Sequence, residues 1–195
     1  MSITSGLPDS LLQLRQAHPH YSESLSRSNS LDHLWSPWRM SYLQKHTKEP
    51  GCIFCTALER EDGPENLVVY RGKTTFAILN MYPYTSGHLM IVPCQHKPSL
   101  EKLDIECRGE LMEIAAAAVQ VLKAVYHPQG FNVGFNIGEA AGAGIESHIH
   151  MHVVPRWNGD TNFMSTLGMT RVLPETLEES YHRIRDAWAN FFRKP

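Results

Sequence analysis

The sequence lacks any run of about 18 apolar residues, which excludes an ordinary helical membrane span. Its opening, Met1-Ser2-Ile3-Thr4-Ser5-Gly6-Leu7-Pro8, has no basic start followed by an apolar block and does not read as a secretory signal. Neither sign of charge is in excess: 18 Lys and Arg face 20 Asp and Glu, for a net charge of -2. That balance argues against a general nucleic-acid or anionic-membrane surface, although a small phosphorylated substrate needs only a local site. Internal repeats are absent, and cysteine is scarce: Cys52, Cys55, Cys94 and Cys107 are the whole set. An even count could mean two disulfides in an oxidising compartment. Without an export signal, Cys52-Ile53-Phe54-Cys55 reads better as metal ligands or a redox pair, and a cytoplasmic location is expected.

What is present is an ordinary globular composition, 42% hydrophobic and 19% charged over 195 residues, enough for one domain with a small appendage. Residues 1–30 are rich in Ser and His with weak apolar periodicity and read as a loosely packed arm. Segment 34–43 carries Trp35 and Trp38 around Pro37, an anchored extended flap in which Arg39 could reach a phosphate. Strands are expected at 67–70, 74–79 and 88–92, punctuated by Gly72, Pro83, Gly87 and Pro93. Apolar spacing predicts a long helix over 103–126, stopped by Pro128 and Gly130. Alternation predicts a fourth strand over 131–137 and a fifth over 148–154. The stripe Leu177, Tyr181, Ile184, Trp188 and Phe191 predicts a terminal helix over 175–192. Strands, a long helix, two strands and a helix make an α+β pattern with a mainly antiparallel five-stranded sheet.

The most informative stretch is Ser147-His148-Ile149-His150-Met151-His152-Val153-Val154-Pro155. On a strand, His148, His150 and His152 share one face, while Ile149, Met151 and Val153 point into apolar packing. Three imidazoles in a row are hard to explain by packing, because each buried ring needs hydrogen-bond partners. They could form a three-histidine metal site. Alternatively, a neutral imidazole, with an unperturbed pKa of about 6.5, could attack phosphorus and form a phosphohistidine-type intermediate. The loop before the strand favours the second reading, since Gly138, Gly142 and Gly144 would let backbone N–H groups approach phosphate oxygens.

His148-Ile-His150-Met-His152-Val-Val resembles the signature of the histidine triad (HIT) family of nucleotide hydrolases and transferases. The resemblance extends over residues 50–157. It takes in Cys52-Ile-Phe-Cys55, Phe76-Ala-Ile-Leu-Asn80, Ser86-Gly-His-Leu-Met-Ile-Val-Pro93 with His96, and Asn136-Ile-Gly138. The tryptophan segment, Leu79-Asn80-Met81-Tyr82-Pro83-Tyr84 and Val153-Val154-Pro155-Arg156-Trp157 are most similar to the bacterial diadenosine tetraphosphate phosphorylase-like branch. The resemblance implies a HIT-like fold, with residues 1–49 as an N-terminal arm and 158–195 as an extension whose helix packs on the domain.

It also implies roles. His150 would take the nucleotidyl group from the α-phosphorus. His152 would hydrogen-bond the phosphate or the bridging oxygen, and His148 would help orient the nucleophile. Asn80 would contact the ribose, Ile78 and Leu79 would wall the base pocket, and Asn136, Gly142 and Gly144 would contact phosphate. Apart from the resemblance, Trp157 directly follows the triad strand and could stack on a base, close over the pocket or pack at the strand end. Cys52, Cys55, His96 and His148 would hold a structural zinc, and the chain would form a homodimer. The expected reaction is cleavage of dinucleoside polyphosphates with water or phosphate as acceptor. The alternatives are a nucleotide phosphoramidate hydrolase and a nucleotide-binding protein without turnover. His88 reads as a structural histidine or a residue lining the site.

Overall fold

A computed structural model describes residues 51–160 and 174–191. The expected arm, the tryptophan segment with Arg39, and residues 161–173 lie outside the described residues. No helix among the described residues is long and apolar enough to cross a membrane.

The first element is a short helix that the sequence pattern does not announce, α1 at Ile53–Glu59. Seven residues are marginal as an isolated helix. This one is held by burial of Phe54 and Ala57 and by the Arg71 guanidinium, which donates to the carbonyls of Leu58 (3.0 Å), Ala57 (3.2 Å) and Arg60 (3.0 Å). Those are the carbonyls that a helix C-terminus leaves without partners.

Strands β1 (Val68–Arg71) and β2 (Thr75–Leu79) form a hairpin, closed by Gly72 N–H donating to the Thr75 carbonyl at 2.8 Å. Strand β3 (Leu89–Pro93) is buried throughout, as its unbroken apolar run requires. The long helix α2 spans Ile105–Tyr126. It begins two residues later than the apolar spacing suggests. A 3-10 turn at Leu100–Lys102 comes first, and Asp104 then takes the cap position, accepting from Cys107 N–H at 2.7 Å. Its end matches expectation: His127 turns left-handed (φ 49°) and Pro128 follows. The helix also clamps the hairpin, since the Glu110 carboxylate accepts from the N–H groups of Lys73 (2.7 Å) and Thr74 (2.6 Å).

Strands β4 (Gly130–Phe135) and β5 (Met151–Arg156) complete an all-antiparallel sheet of order β1-β2-β3-β5-β4. Strand β5 starts three residues later than expected. Residues 148–150 bond elsewhere: Ile149 N–H donates to the Lys97 carbonyl (2.7 Å), and the His148 ring bonds the Pro93 carbonyl (2.9 Å).

The register sorts the side chains. Ile78, Met90, His152 and Gly134 stand opposite one another in sequence across four strands and so share a face. Leu79, Leu89, Val153 and Val133 form the neighbouring row on the other face. The long helix packs across β2, β3 and β5 on that second face. Gly87, with φ 76°, sits where a Cβ would come within 2.7 Å of the Tyr126 ring, so the helix lies directly on the turn before His88.

The terminal helix α3, Leu177–Phe191, is the expected one to within two residues. It buries Tyr181, Ile184 and Trp188, and Trp188 stacks on Tyr70 of β1 with ring centroids 5.2 Å apart. Burying one large apolar side chain of this kind stabilises by about 1.5–3 kcal/mol.

Candidate active site

Three groups of side chains meet along the segment 148–152. At one end His148, fully buried, donates Nε2–H to the carbonyl of Pro93 at 2.9 Å. A carbonyl only accepts, so in the neutral ring Nδ1 carries the lone pair. That nitrogen faces two thiols, Cys52 Sγ at 3.2 Å and Cys55 Sγ at 3.7 Å, while His96 Nδ1 lies 3.3 Å from Cys55 Sγ. All four donor atoms fall within 4.8 Å of one another. Zinc bond lengths of about 2.3 Å to sulfur and about 2.0–2.1 Å to nitrogen give tetrahedral edges of about 3.3–3.8 Å. Three of the sulfur–nitrogen distances, 3.2, 3.3 and 3.7 Å, lie in or close to that range. The expected ligands Cys52, Cys55, His96 and His148 are thus brought together as one group able to hold a metal ion. Burial pushes the Cys55 thiol up, helped by its neighbour Cys52.

His150 is built the opposite way. It is 5% exposed, and its Nδ1–H donates to the carbonyl of His148 at 2.9 Å. Nε2 therefore carries the lone pair, and it makes no hydrogen bond to another described residue. Phe54 from α1 packs against both rings, at centroid distances of 5.3 Å to His148 and 5.0 Å to His150. Burial pulls the pKa of His150 below the usual histidine value, against the opposing effect of its bond to the His148 carbonyl. His148 is shifted the same way, first by burial. Both rings are neutral at neutral pH.

His152, on β5, is backed by His88. The N–H of Tyr84 donates to His88 Nδ1 at 3.1 Å, so the His88 proton sits on Nε2. That Nε2 lies 3.0 Å from His152 Nδ1. Backbone N–H can only donate, so the direction propagates: His88 donates to His152 Nδ1, and His152 carries its own proton on Nε2. The His150 and His152 rings are 4.9 Å apart, edge to face. A bare nitrogen and an N–H thus stand side by side. Of the two sequence readings of His88, the fully buried position behind His152 fits the structural one, but with a specific partner. Asn80 Oδ1 accepts from Tyr82 N–H at 2.9 Å, so Asn80 shapes the turn beside this group.

A cleft of about 340 Å³ opens beside His152. Its walls include Tyr84, Asn132, Gly134, Asn136, His152 and Arg156. Asn136 lines this cleft, whereas Trp157 is half-buried and does not. Ile78 shares the face of His152, but the register puts Leu79 on the opposite, helix-covered face, 2% exposed and away from the histidines. In the glycine loop, Gly142 N–H donates to the Glu139 carbonyl (2.8 Å) and Ala143 N–H to the Gly138 carbonyl (3.3 Å). These two amides close the loop on itself, and Gly144 lies just beyond the closed turn. The positive φ angles of Gly138 (80°) and Gly142 (79°) account for two of the three glycines.

Two participants escaped the sequence reading. Phe54 was hidden inside the Cys-x-x-Cys motif, where only the cysteines drew notice. Tyr84 acts through its backbone N–H, which leaves no mark in residue type.

Comparison with known proteins gives concordant results. A family profile described as HIT domain matches residues 63–159. A protein of Mycobacterium tuberculosis named AP-4-A phosphorylase is 39% identical over 181 residues, covering 88% of this chain and 92% of the relative. Among solved structures, a Zn-bound histidine triad family protein from Mycobacterium smegmatis superposes with a TM-score of 0.59 at 28% identity, covering 73% of this chain and 96% of that one. A histidine triad nucleotide-binding protein from Sulfolobus tokodaii superposes with a TM-score of 0.60 at 28% identity, covering 73% of this chain and 95% of that one.

Proposed function

This chain belongs to the HIT domain family, and on that premise we propose that it is a nucleotidyl hydrolase or transferase that cleaves dinucleoside polyphosphates at the α-phosphate, with His150 as nucleophile. The observation that carries the reading is the bond from His150 Nδ1–H to the His148 carbonyl, which leaves Nε2 as the bare nitrogen. Attack by Nε2 forms a nitrogen–phosphorus bond as the bond from phosphorus to the bridging oxygen breaks. The leaving nucleoside polyphosphate takes the electron pair, and His152 Nε2–H would donate a proton to it. Water or inorganic phosphate then attacks the same phosphorus, releasing the nucleotide and restoring Nε2. Asn136 and Gly144 would contact the phosphate, with Gly142 shaping the loop between them; Asn80 would contact the ribose and Ile78 the base side, and Trp157 would close over the bound nucleotide from outside the cleft. Fixed donors aimed at the phosphate supply much of the rate enhancement.

The four-residue cluster is assigned to a structural zinc, with Cys52, Cys55, His96 and His148 as ligands. When bound, the cation would hold the thiols as thiolates and fix the start of the histidine segment to α1. No ligand position is left for chemistry. The free thiols suit a reducing, cytoplasmic setting. The apolar side chains Ile105, Met112, Val133 and Ile137 are exposed, and a second copy of the chain is the partner that would cover them.

The test is product analysis with diadenosine tetraphosphate, with and without added phosphate, together with a denaturing quench at alkaline pH to trap labelled protein, since a phosphorus–nitrogen bond to histidine survives base and hydrolyses in acid. A phosphate-dependent diphosphate product identifies a phosphorylase, and a monophosphate product a hydrolase. Unchanged turnover in His150→Ala would remove the mechanism.

A further inference from the structure

The cleft beside His152 does not end at the reacting group. Strand β5 carries His152, Val154 and Arg156 on one face, and β4 carries Gly134 and Asn132 opposite His152 and Val154. His152 and Arg156 are four residues apart on a strand, a span of about 13 Å. An extended polyphosphate arm covers that length, whereas an amine or a single phosphate does not. A Cβ added at Gly134 would meet nothing within 4 Å, so the floor next to His152 is open.

Arg156 at the far end is held in place. Its Nε and one terminal nitrogen donate to Asp160 at 2.6 and 2.8 Å, and the other terminal nitrogen donates to Asn132 Oδ1 at 2.7 Å. Asp160 is held in turn by Trp157 N–H at 3.2 Å. A guanidinium has five N–H donors, so three are engaged here and two remain. Those two belong to a rigid, half-exposed group that lines the cleft. With Asp160 offsetting much of its charge, Arg156 offers directed donors rather than a general anion trap.

We propose that this cleft binds the departing arm of the substrate, a nucleoside polyphosphate, with Arg156 as its distal anchor and Asn132 lining the path. The proposal rests on the nucleotidyl-transfer reading and deepens it: the site would select substrates by the length of their leaving group. The chain then favours long dinucleoside polyphosphates over nucleotides with small leaving groups.

The experiment compares two substrates in the full-length protein. One is diadenosine tetraphosphate, and the other is a p-nitrophenyl ester of AMP, whose leaving group stops short of Arg156. In Arg156→Gln, the ratio of kcat/KM for tetraphosphate to kcat/KM for ester should fall about 10-fold or more, the range expected for lost hydrogen bonds to a charged group. Asn132→Leu narrows the same cleft from an exposed edge-strand position and should lower the ratio in the same direction. It decides the matter if Arg156→Gln does not fold. A ratio unchanged in the folded variants overturns the subsite, whether both rates fall together or neither moves. A wild-type protein that cleaves neither substrate overturns the nucleotidyl-transfer reading itself, and the subsite with it.

Discussion

His148 and His150 are two residues apart, both are buried, and each gives one ring N–H to a backbone carbonyl. They differ in which nitrogen is given. His148 donates through Nε2 to Pro93 and turns Nδ1 toward two thiols. His150 donates through Nδ1 to His148 and keeps Nε2 bare. The carbonyl partner selects the tautomer, which turns one lone pair toward the two thiols and leaves the other without a hydrogen bond to another described residue. Identical residue types at neighbouring positions thereby acquire different chemistry from the backbone around them.

The sharpest way to break this contrast is His150→Ala. Turnover of diadenosine tetraphosphate should fall by about 10⁴-fold or more, as for a removed nucleophile. Metal content and melting temperature should stay close to wild type. A variant that keeps its rate and loses its metal would reverse the two assignments.

Next in size is the pair behind the bond-breaking step. His152→Ala should lower kcat by about 10²-fold, the lower end for a lost proton donor. His88→Phe keeps a ring of similar shape in the buried position but removes the donor to His152, and should lower kcat by about 10-fold with KM little changed. A merely structural role for His88 would instead appear as lost stability with kcat intact in the folded fraction.

The metal side predicts the complementary pattern. Purified protein should contain about one zinc per chain, and Cys52→Ser with Cys55→Ser should abolish it. Melting should drop by about 5–10 °C, corresponding to a loss of about 2–3 kcal/mol in a chain of this size. Turnover of the folded fraction should fall by less than in His152→Ala. Careful elemental analysis that finds no zinc in folded wild-type protein would refute this half of the comparison.

The smallest effect is expected at Phe54, which touches both histidines. Phe54→Leu, a modest change of volume, should cost about 1 kcal/mol of stability and change turnover by about 2- to 3-fold. A large loss confined to metal or to turnover would show that the ring serves one histidine only.

Much of the sheet was legible because strands and the long helix write their periods into residue type. The apolar run expected as a strand at 88–92 and found at Leu89–Pro93, the helical stripe ending at Tyr126 and the stripe through Trp188 all read nearly directly. The misses have physical causes. Helix α1 is too short to carry a period and is held by Phe54 and by a guanidinium that arrives from β1. Strand β5 begins late because residues 148–150 bond Lys97 and Pro93 instead of a neighbouring ladder. Ile78 and Leu79 lie on opposite faces of β2, because adjacent strand residues alternate sides.

By itself the sequence determined the residue types and their alternation: three imidazoles at every second position, a Cys-x-x-Cys pair, and glycines where the loop needs positive φ. Those features are local, set by chain chemistry and side-chain period. Only the tertiary structure decided which ring nitrogen each histidine exposes, that His96 and His148 meet the two cysteines, and that Arg156 ends a cleft begun by His152. Proton placement depends on a carbonyl or an N–H brought from a distant segment, and no local pattern encodes that partner.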